Sequence, residues 1–302
     1  MLDLSPAIHN VRYANPLRPG FDIEVMRLSD LLHRATPEHF QAPQRPQFHL
    51  LLFITRGNGR HLIDFRAHSC RCGTVLHVRP GQVQQYVTVP SFEALVVLFS
   101  PSFVPSDHEL TRLSGHDSLV DHVLPDGSLL TVGPTAALIG REFEQLCSEY
   151  GQLEASPLSI SLIRHLLQVL LLRLALLSIP KNSAAPPYTA ASRMVARFQR
   201  ELERRFTQSH KVGDFASWLN CSPRTLYSSC MTMRGVGPKS LIEHRVILEA
   251  QRLLVHTALP VDGISVELGF DEPANFTRIF RRIAGVSPGS FRHDRRRAMD
   301  VQ

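Results

Sequence analysis

The last third of this 302-residue chain contains an internal repeat, which limits the possible folds more strongly than any other feature. Residues 235–241, GVGPKSL, recur fifty residues later as residues 285–291, GVSPGSF. The same offset relates three apolar positions of the first copy to three of the second, namely Leu226, Cys230 and Met233 to Phe276, Phe280 and Ile283. Each copy predicts a short helix, a tight turn, a second helix and a Gly-x-x-Pro break, which is the order of a helix-turn-helix.

The second helix of each repeat has an apolar stripe and an opposite outward face. With about 100° of rotation per residue, one stripe of the later helix points to the domain core and contains Phe276, Ile279, Phe280 and Ile283. The outward faces would present nine side chains to a partner: Arg224, Tyr227, Ser228 and Met231 in the first repeat, and Ala274, Thr277, Arg278, Arg281 and the flanking Arg282 in the second. Early outward positions can reach base edges in a major groove, whereas Arg282 and the later Arg292, Arg295, Arg296 and Arg297 suit phosphates.

Net charge is distributed unevenly along the chain. Residues 190–302 contain 18 Lys and Arg against 11 Asp and Glu, whereas residues 1–189 contain 15 against 16. The formal net charge of +6 therefore belongs to the last third. One basic helix face is more often a solvated surface than a binding site, but two equivalent basic helices in one basic domain favour nucleic acid as the partner.

Strand patterns and turn residues alternate between residues 48 and 99. The runs FHLLLFIT, RHLIDF, TVLHV, QVQQYVTV and FEALVVLF are separated by turn residues such as those of residues 56–59, RGNG. This pattern predicts hairpins stacked into an antiparallel sandwich or barrel. Helical periodicity follows over 134–150 and 156–178, with Ser156 as the N-cap of the second helix. That helix is apolar on nearly every face, so we expect the barrel to cover one side and a second subunit another.

These patterns divide the chain into four parts. We expect a barrel over residues 1–130, a helical dimerisation segment over 131–180, a linker over 181–190 and a DNA-binding domain over 191–302. The linker is predicted because Pro, Ser and Ala occur there without periodicity. The expected fold class is α+β multidomain, with an N-terminal antiparallel β-barrel and its helical segment followed by an all-α domain of tandem helix-turn-helix units.

Cysteine usage and hydropathy predict the location of the protein. The five cysteines are odd in number and scattered, which indicates reduced thiols and a cytoplasmic location. The N-terminus has no basic region followed by an apolar run, so no secretory leader is expected. Arg164, His165 and Arg173 interrupt the leucine-rich helix over 156–178, so no membrane span is expected there.

The sequence lacks the motifs of the common enzyme classes. It contains no phosphate-binding loop, nucleophile elbow, dinucleotide fingerprint or His-Glu-x-x-His helix. His68, Cys70 and Cys72 lie close together in an expected hairpin loop, but zinc would need a second pair of ligands. We therefore expect no catalytic residue, no cofactor and no metal.

Residues 250–292 contain a dense set of motif residues. They are Leu253-Leu254, Leu259-Pro260-Val261, Ile264-Ser265, Leu268-Gly269-Phe270-Asp271, Asn275-Phe276-Thr277-Arg278, Phe280-Arg281, Gly285-Val286-Ser287-Pro288 and Phe291-Arg292. In these residues the chain resembles the AraC/XylS family of bacterial transcription regulators, and the likeness extends over about residues 195–293. It implies seven helices, with a long helix near 238–257 between two helix-turn-helix units whose recognition helices enter successive major-groove faces about 34 Å apart.

Several positions depart from the family pattern. Ser265 stands where the family usually has Ala, which is a small change. In the first repeat, Ser228 and Cys230 stand where Arg and Phe are common, and Arg245 lies one residue earlier than expected. Loss of an arginine contact and of an aromatic core residue predicts that the first unit reads DNA more weakly or with a different specificity.

A second set of motif residues lies in the N-terminal half. It comprises Gly57-Asn58-Gly59, Ile63-Asp64-Phe65, Gly73 and Val78-Arg79-Pro80-Gly81-Gln82-Val83-Gln84. These residues resemble the cupin-like sensor barrels of many members of the same family. Metal-binding cupin enzymes place a histidine about where Gln84 stands, so the resemblance implies a sensor. The candidate ligand-lining residues are His49, His61, Ile63 and Tyr86.

Together these features predict a sequence-specific, DNA-binding transcription regulator. We expect a ligand-responsive activator that acts as a homodimer, with promoter DNA, RNA polymerase and a small-molecule effector as its partners. The alternative is a cupin-type small-molecule enzyme with an incidental basic C-terminal domain. A barrel that binds nothing and serves only for dimerisation also stays open, as do the effector, the operator and the choice between activation and repression.

Overall fold

The computed structural model describes residues 8–15, 18, 21–34, 36–86, 91–104, 120, 129–152, 154, 156–178 and 189–300. Contacts divide the chain into two compact units. The N-terminal unit comprises Ile8–Ser114 and Ser118–Ala185, and the C-terminal unit includes Pro186–Gln302. Except for its last two residues, the linker expected over 181–190 lies outside the described residues.

The described part of the N-terminal unit contains nine strands and a few helices. The strands are β1 (His9–Val11), β2 (Ile23–Arg27), β3 (Gln44–Pro46), β4 (His49–Ile63), β5 (Arg66–Arg71), β6 (Thr74–Val78), β7 (Gln84–Tyr86), β8 (Phe92–Phe99) and β9 (Leu129–Thr131). The helices are α1 (Leu28–Leu32), α2 (Pro37–Gln41), the 3-10 turn Gly133–Thr135, α3 (Ala136–Gln152) and α4 (Pro157–Ser178).

Strand β4 connects two sheets. Its first part pairs with β6 and β8, its last part pairs with β5 and β7, and all four pairings are antiparallel. Strands β2 and β9 extend the first sheet, and β3 and β1 extend the second. The pairing of β1 with β3 is parallel, so the barrel is not antiparallel throughout.

The bend in β4 lies where the sequence pattern predicts a hairpin turn. The register shifts between Ile54 and Arg56, and Gly57 has a φ of +78°. A Cβ atom on Gly57 would lie 2.5 Å from the carbonyl oxygen of Ser91, so only glycine lets β8 begin so close to this strand. The prediction of a chain reversal at residues 56–59 is wrong, because the residues on both sides find partner strands and continue as one bent strand.

The first sheet is buried on both faces. Leu50, Leu52 and Ile54 point into the barrel interior, where they pack with side chains of β5, β6 and β7. Leu51 and Phe53 point to the opposite face, which α3 and α4 cover. Alternate residues of one strand therefore belong to two different cores, which explains why the run reads as almost continuously apolar.

Helix α4 has one buried face and one exposed face. Its N-cap is Ser156 as predicted, since the side-chain oxygen accepts a hydrogen bond from the main-chain nitrogen of Ser159 at 3.1 Å. Six apolar side chains are buried against the sheet and α3: Ile163, Leu167, Leu170, Leu171, Leu174 and Ala175. Much of the remaining apolar surface is exposed, most of all Leu158 at 83%.

The same helix is long and apolar enough to cross a membrane by length and composition alone. The segment Pro157–Leu177 has a mean hydropathy of 1.8. One such helix is weak support for a membrane span, because the core helix of a globular protein can have the same properties. The two arginines of α4 bind groups of their own unit: Arg164 donates to the carbonyl oxygen of Phe103 at 3.0 Å, and Arg173 pairs with Glu142 at 3.0 Å.

The C-terminal unit has seven helices within residues 189–300, the number that the family resemblance implies. They are α5 (Ala190–Arg205), α6 (Val212–Trp218), α7 (Pro223–Arg234), α8 (Pro238–His256), α9 (Val261–Glu267), α10 (Pro273–Ala284) and α11 (Pro288–Asp300). Helices α6 and α7 form the first helix-turn-helix, and α9 and α10 form the second. Helix α8 connects them and contacts α5, α7, α9, α10 and α11. The expected fold class is thus confirmed for both units.

The turn of the second helix-turn-helix depends on Gly269. This residue has a φ of +80°, and a Cβ atom on it would lie 2.0 Å from the carbonyl oxygen of Thr207. Gly285, which ends α10, has nearly the same φ of +78°, but no atom of the described residues lies within 4 Å of its Cβ position. The two glycines therefore share a backbone conformation and differ in the space around them.

We predict that Gly269→Ala destabilises the C-terminal unit much more than Gly285→Ala. The left-handed backbone should cost about 1 kcal/mol at both positions, and the clash at Gly269 should add roughly 1–3 kcal/mol. Trp218 is the single tryptophan of the chain and lies in α6, so its fluorescence during urea unfolding reports on this unit. Equal losses of unfolding free energy in the two variants would contradict the close approach to Thr207.

Candidate nucleic-acid interface

Helix α7 is built as the second helix of a helix-turn-helix. Ser222 caps its N-terminus by accepting a hydrogen bond from the main-chain nitrogen of Thr225 at 3.0 Å, and Pro223 occupies the first turn. Gly235, with a φ of +69°, ends the helix. Leu226 and Cys230 are fully buried, as their repeat positions predict. All four predicted contacts of this helix are exposed: Arg224, Tyr227, Ser228 and Met231.

Helix α10 repeats this construction with a different N-terminus. Its N-cap is Glu272, and no side-chain hydrogen bond from the described residues caps it. Phe276 and Phe280 are fully buried, whereas Ile279 and Ile283 of the predicted stripe are half-buried. The five predicted contacts line one shallow, open surface: Ala274, Thr277, Arg278, Arg281 and Arg282. Thr277 is half-buried, and the other four are exposed.

The two outward faces differ in chemistry although their helices are equivalent. The fifty-residue offset places Tyr227 opposite Thr277, Ser228 opposite Arg278, and Met231 opposite Arg281. Tyrosine and methionine offer apolar contact, which suits the methyl group of thymine, whereas arginine suits guanine edges and phosphates. The first face therefore offers mainly apolar contacts, and the second carries most of the positive charge.

Two arginines of α10 already have partners within the protein. Arg278 donates to the side-chain oxygen of Asn275 at 2.9 Å. A nitrogen of Arg282 lies 2.8 Å from a carboxylate oxygen of Glu243 on α8. The Glu243 side chain is 10% exposed and that of Arg282 is 58% exposed, so the pair fixes one edge of the guanidinium and leaves the rest in solvent. Sequence reasoning missed Glu243, because its partner lies on a helix far along the chain.

Other basic residues support the fold instead of facing outward. Arg245 stacks over Phe206, 3.9 Å from the ring centroid, and pairs with Glu203 at 2.8 Å. Arg292 donates to the carbonyl oxygens of Leu254 and Leu259, near the C-terminal end of α8. The expectation that Arg292 is placed for a phosphate is therefore wrong, since its guanidinium satisfies carbonyl groups at a helix end.

Three of the four candidate ligand residues lie together in the barrel interior. His61 and Ile63 lie two residues apart on β4 and therefore share one face of the strand. Tyr86 on β7 is the cross-strand partner of His61. Their exposed fractions are 0%, 1% and 2%. The rings of His61 and Tyr86 meet edge to face at a centroid distance of 4.4 Å, and Nε2 of His61 lies 2.9 Å from the side-chain oxygen of Gln84.

The fourth candidate, His49, lies on the other face of the first sheet. Its ring stacks on Phe99 at a centroid distance of 4.8 Å, and its Nδ1 lies 3.1 Å from Nε2 of His77. Burial, followed by the charge of Arg79, lowers the pKa of His49 to about 3. The prediction that His49 shares a site with His61 is wrong, because the change of register within β4 puts the two side chains in different cores.

The fold and the paired outward helices define a DNA-binding transcription regulator with a separate ligand-binding domain. Two family models match the chain, an AraC-like ligand binding domain over residues 29–170 and a helix-turn-helix domain over residues 215–294. The chain belongs to the AraC family of transcription regulators.

Individual known proteins resemble the whole chain or one unit. The activator RhaR of Salmonella schwarzengrund is 24% identical over 266 residues, which is 85% of this chain and 89% of RhaR. The C-terminal domain of the response regulator AraT from Geobacillus stearothermophilus is 29% identical, covers 35% of this chain and 89% of its own length, and has a TM-score of 0.34. Wild-type ToxT of Vibrio cholerae, solved with a bound unsaturated fatty acid, is 12% identical and has a TM-score of 0.35. The match covers 82% of this chain and 87% of the ToxT chain.

We predict that Arg278→Ala and Arg282→Ala weaken DNA binding in different ways. Arg278 lies in the middle of the outward face, so its loss should cost about 1–3 kcal/mol on cognate DNA and relax the preference at one or two base pairs. Arg282 lies on the flank beside Glu243, so its loss should weaken binding to all sequences and reduce the salt slope by about one.

The measurement is a set of binding curves on cognate and scrambled DNA over a series of salt concentrations. Arg278→Ala should leave the unit folded, because Phe276 and Phe280 are untouched. Arg282→Ala leaves the buried carboxylate of Glu243 without its partner, so its unfolding free energy is measured as well, through the fluorescence of Trp218. An equal loss of affinity for both DNAs in Arg278→Ala would mean that Arg278 contacts only the phosphate backbone.

Proposed function

We propose that this protein is a cytoplasmic homodimer that activates transcription from promoters it binds with both helix-turn-helix units. One observation carries the proposal: two helices of equal construction, α7 and α10, expose their predicted contacts in one basic unit. In this proposal α7 reads thymine-rich sequence through Tyr227 and Met231, and α10 reads guanine through Arg278. Activation through RNA polymerase is supported by relatives that are named as transcriptional activators.

The proposed homodimer rests on a second observation, an exposed apolar seam along α4. Its exposed apolar members are Leu158, Leu162, Val169 and Leu176. With His165 and the half-buried Leu172 they follow one another at intervals of three and four residues, the spacing of a coiled-coil stripe. Leu162 and Val169 are 42% and 41% exposed in the protomer. Apolar surface of this kind is stabilised when a second copy covers it. Arg164 and Arg173, which bind Phe103 and Glu142 of their own unit, do not belong to the seam and leave it free for that contact.

The N-terminal barrel is proposed to hold a small-molecule effector that biases DNA binding. The alternative, a cupin-type enzyme, would need a metal ion. A glutamine, Gln84, takes the place of a histidine ligand beside His61, and the family is one of regulators, so we favour a sensor without catalytic activity. Elemental analysis of the purified protein tests this directly, and one equivalent of a transition metal would favour the enzyme.

The proposed DNA-binding function is tested by selecting fragments of the source genome on the purified full chain. We expect a common motif with two half-sites, each long enough for two successive major-groove contacts. A variant in which Arg278 and Arg281 are both replaced by alanine should lose the motif. Recovery of unrelated fragments, with no motif even at physiological salt, would contradict sequence-specific binding.

We predict that Leu162→Glu combined with Val169→Glu converts the dimer to a monomer. Burying two carboxylates at an apolar interface should cost several kcal/mol, whereas the exposed positions tolerate charge in the folded protomer. Gln168→Glu, which adds charge beside the seam, is the matched control. Sedimentation at micromolar concentration should show dimers for the unmodified chain and the control, and monomers for the double variant. A monomeric unmodified chain would refute the homodimer.

A further inference from the structure

The ring of Tyr227 packs on the main chain between α7 and α8. A Cβ atom on Gly237 would lie 3.0 Å from Cε2 of this ring and 3.4 Å from Cδ2. Real Cβ atoms seldom approach a neighbour so closely, so a larger residue at position 237 would push the ring aside. Tyr227 is nevertheless 54% exposed. One side of the ring therefore rests on Gly237, and the rest of it faces solvent.

The backbone does not require glycine at position 237. Gly237 has a φ of −74° and a ψ of 159°, an extended conformation that any residue adopts. It is the N-cap of α8, a position at which serine is favoured because its oxygen accepts a hydrogen bond from a main-chain nitrogen. No side-chain hydrogen bond from the described residues caps α8. Glycine thus gives up a helix cap at this position, and the space it leaves is the space that the ring occupies.

The second repeat has the opposite combination. The fifty-residue offset relates Gly237 to Ser287 and Tyr227 to Thr277. Ser287 caps α11, since its side-chain oxygen accepts a hydrogen bond from the main-chain nitrogen of Ser290 at 3.1 Å. A bulky ring thus occurs with glycine in the first repeat, and a small threonine occurs with a serine cap in the second. Two equivalent corners of one chain have been adapted to side chains of different size.

Packing of the ring before binding matters for recognition. A tyrosine that rotates freely in solvent loses that freedom when DNA immobilises it, which weakens binding. Contact with Gly237 restricts the ring in the free protein and so reduces this loss. It also fixes where the apolar surface of the ring lies. The methyl group of thymine is small and has a definite place in the major groove, so a contact with it depends on such placement.

We infer that Gly237 is a positioning residue that holds the ring of Tyr227 for contact with a thymine methyl group. Together the two residues determine the base specificity of the first helix-turn-helix at that position. Gly237 acts only through the ring and does not itself contact DNA. This inference rests on the proposed DNA-binding function, and it adds the residue that makes α7 selective.

The contact is tested first without DNA, by nuclear magnetic resonance of the full chain carrying isotope-labelled glycine. The variant Gly237→Ala identifies the Gly237 signal by its disappearance. Tyr227→Thr should shift that signal, because the magnetic field of the aromatic ring is lost. The control is Gly213 in α6, which has no described atom within 4 Å of its Cβ position and should not shift. An unshifted Gly237 signal would overturn the inference.

DNA affinity is then compared in Gly237→Ala and Gly237→Ser. Both variants place a Cβ atom against the ring, but only serine can also cap α8. We expect both to bind cognate DNA roughly two- to tenfold more weakly, because the ring is no longer held. Trp218 fluorescence during urea unfolding should show that Gly237→Ser is at least as stable as the unmodified chain. Weaker binding by Gly237→Ala alone would indicate an effect of helix capping and would overturn the inference.

A double-mutant cycle shows whether Gly237 acts through Tyr227. In a Tyr227→Thr background, which reproduces the second repeat, Gly237→Ser should change DNA affinity by less than about twofold. The same loss with and without the ring would mean that Gly237→Ser acts through α8 itself, and would overturn the positioning role.

The base contact is measured by replacing the thymines of the selected motif with uracil, one at a time. Uracil lacks only the methyl group, so the unmodified chain should lose about fourfold in affinity at the contacted position. Gly237→Ser and Tyr227→Thr should bind both DNAs equally there. A bound motif in which no thymine depends on Gly237 would leave the DNA-binding function intact and refute this inference alone. If the unmodified chain selects no motif, the proposed function is wrong and the inferred thymine contact falls with it, even where the glycine signal shows the ring in place.

Discussion

Burial of α8 is the interaction on which the placement of both recognition helices depends. Twelve of its nineteen residues are buried, and only Lys239 and His244 are exposed. It contacts the second helix of each helix-turn-helix as well as α5, α9 and α11. Because a closely packed interior does not deform easily, α7 and α10 are both held by α8, and a change in the packing of α8 would move the outward faces of both helices.

The same burial forces the polar residues of α8 into pairs. Glu249 lies 3.0 Å from Arg252 and 3.3 Å from Arg245, and Glu243 lies 2.8 Å from Arg282. Removing one partner would leave a charge buried without compensation, which is strongly destabilising. The arginine count of the C-terminal unit thus overstates the charge available to DNA, since Arg245, Arg252 and Arg292 hold the fold together. The arginines among the predicted contacts, Arg224 on α7 and Arg278, Arg281 and Arg282 on α10, are all exposed.

In the N-terminal unit, the bent strand β4 has a comparable role. By pairing with four strands it joins two sheets and separates two apolar cores, one inside the barrel and one beneath α3 and α4. The change of register at the bend places His61 in the interior and His49 on the helical side. A single irregularity therefore decides which polar residues of β4 face the barrel interior and which face the helical side.

The sequence by itself determined the architecture of the C-terminal unit. Apolar spacing, a serine cap and glycine stops are local signals, and they were sufficient to predict α7, α10 and the outward position of their contacts, because a helix fixes which side chains share a face. The sequence also predicted that α4 is apolar on nearly every face, but which of its apolar side chains stay exposed was decided by the packing of the N-terminal unit. Only the tertiary structure decided that Glu243 holds Arg282, that Arg292 binds the end of α8, and that His49 and His61 lie in separate cores. These contacts join residues far apart in the chain, and no periodicity within one helix or strand specifies which distant partner will be packed against it.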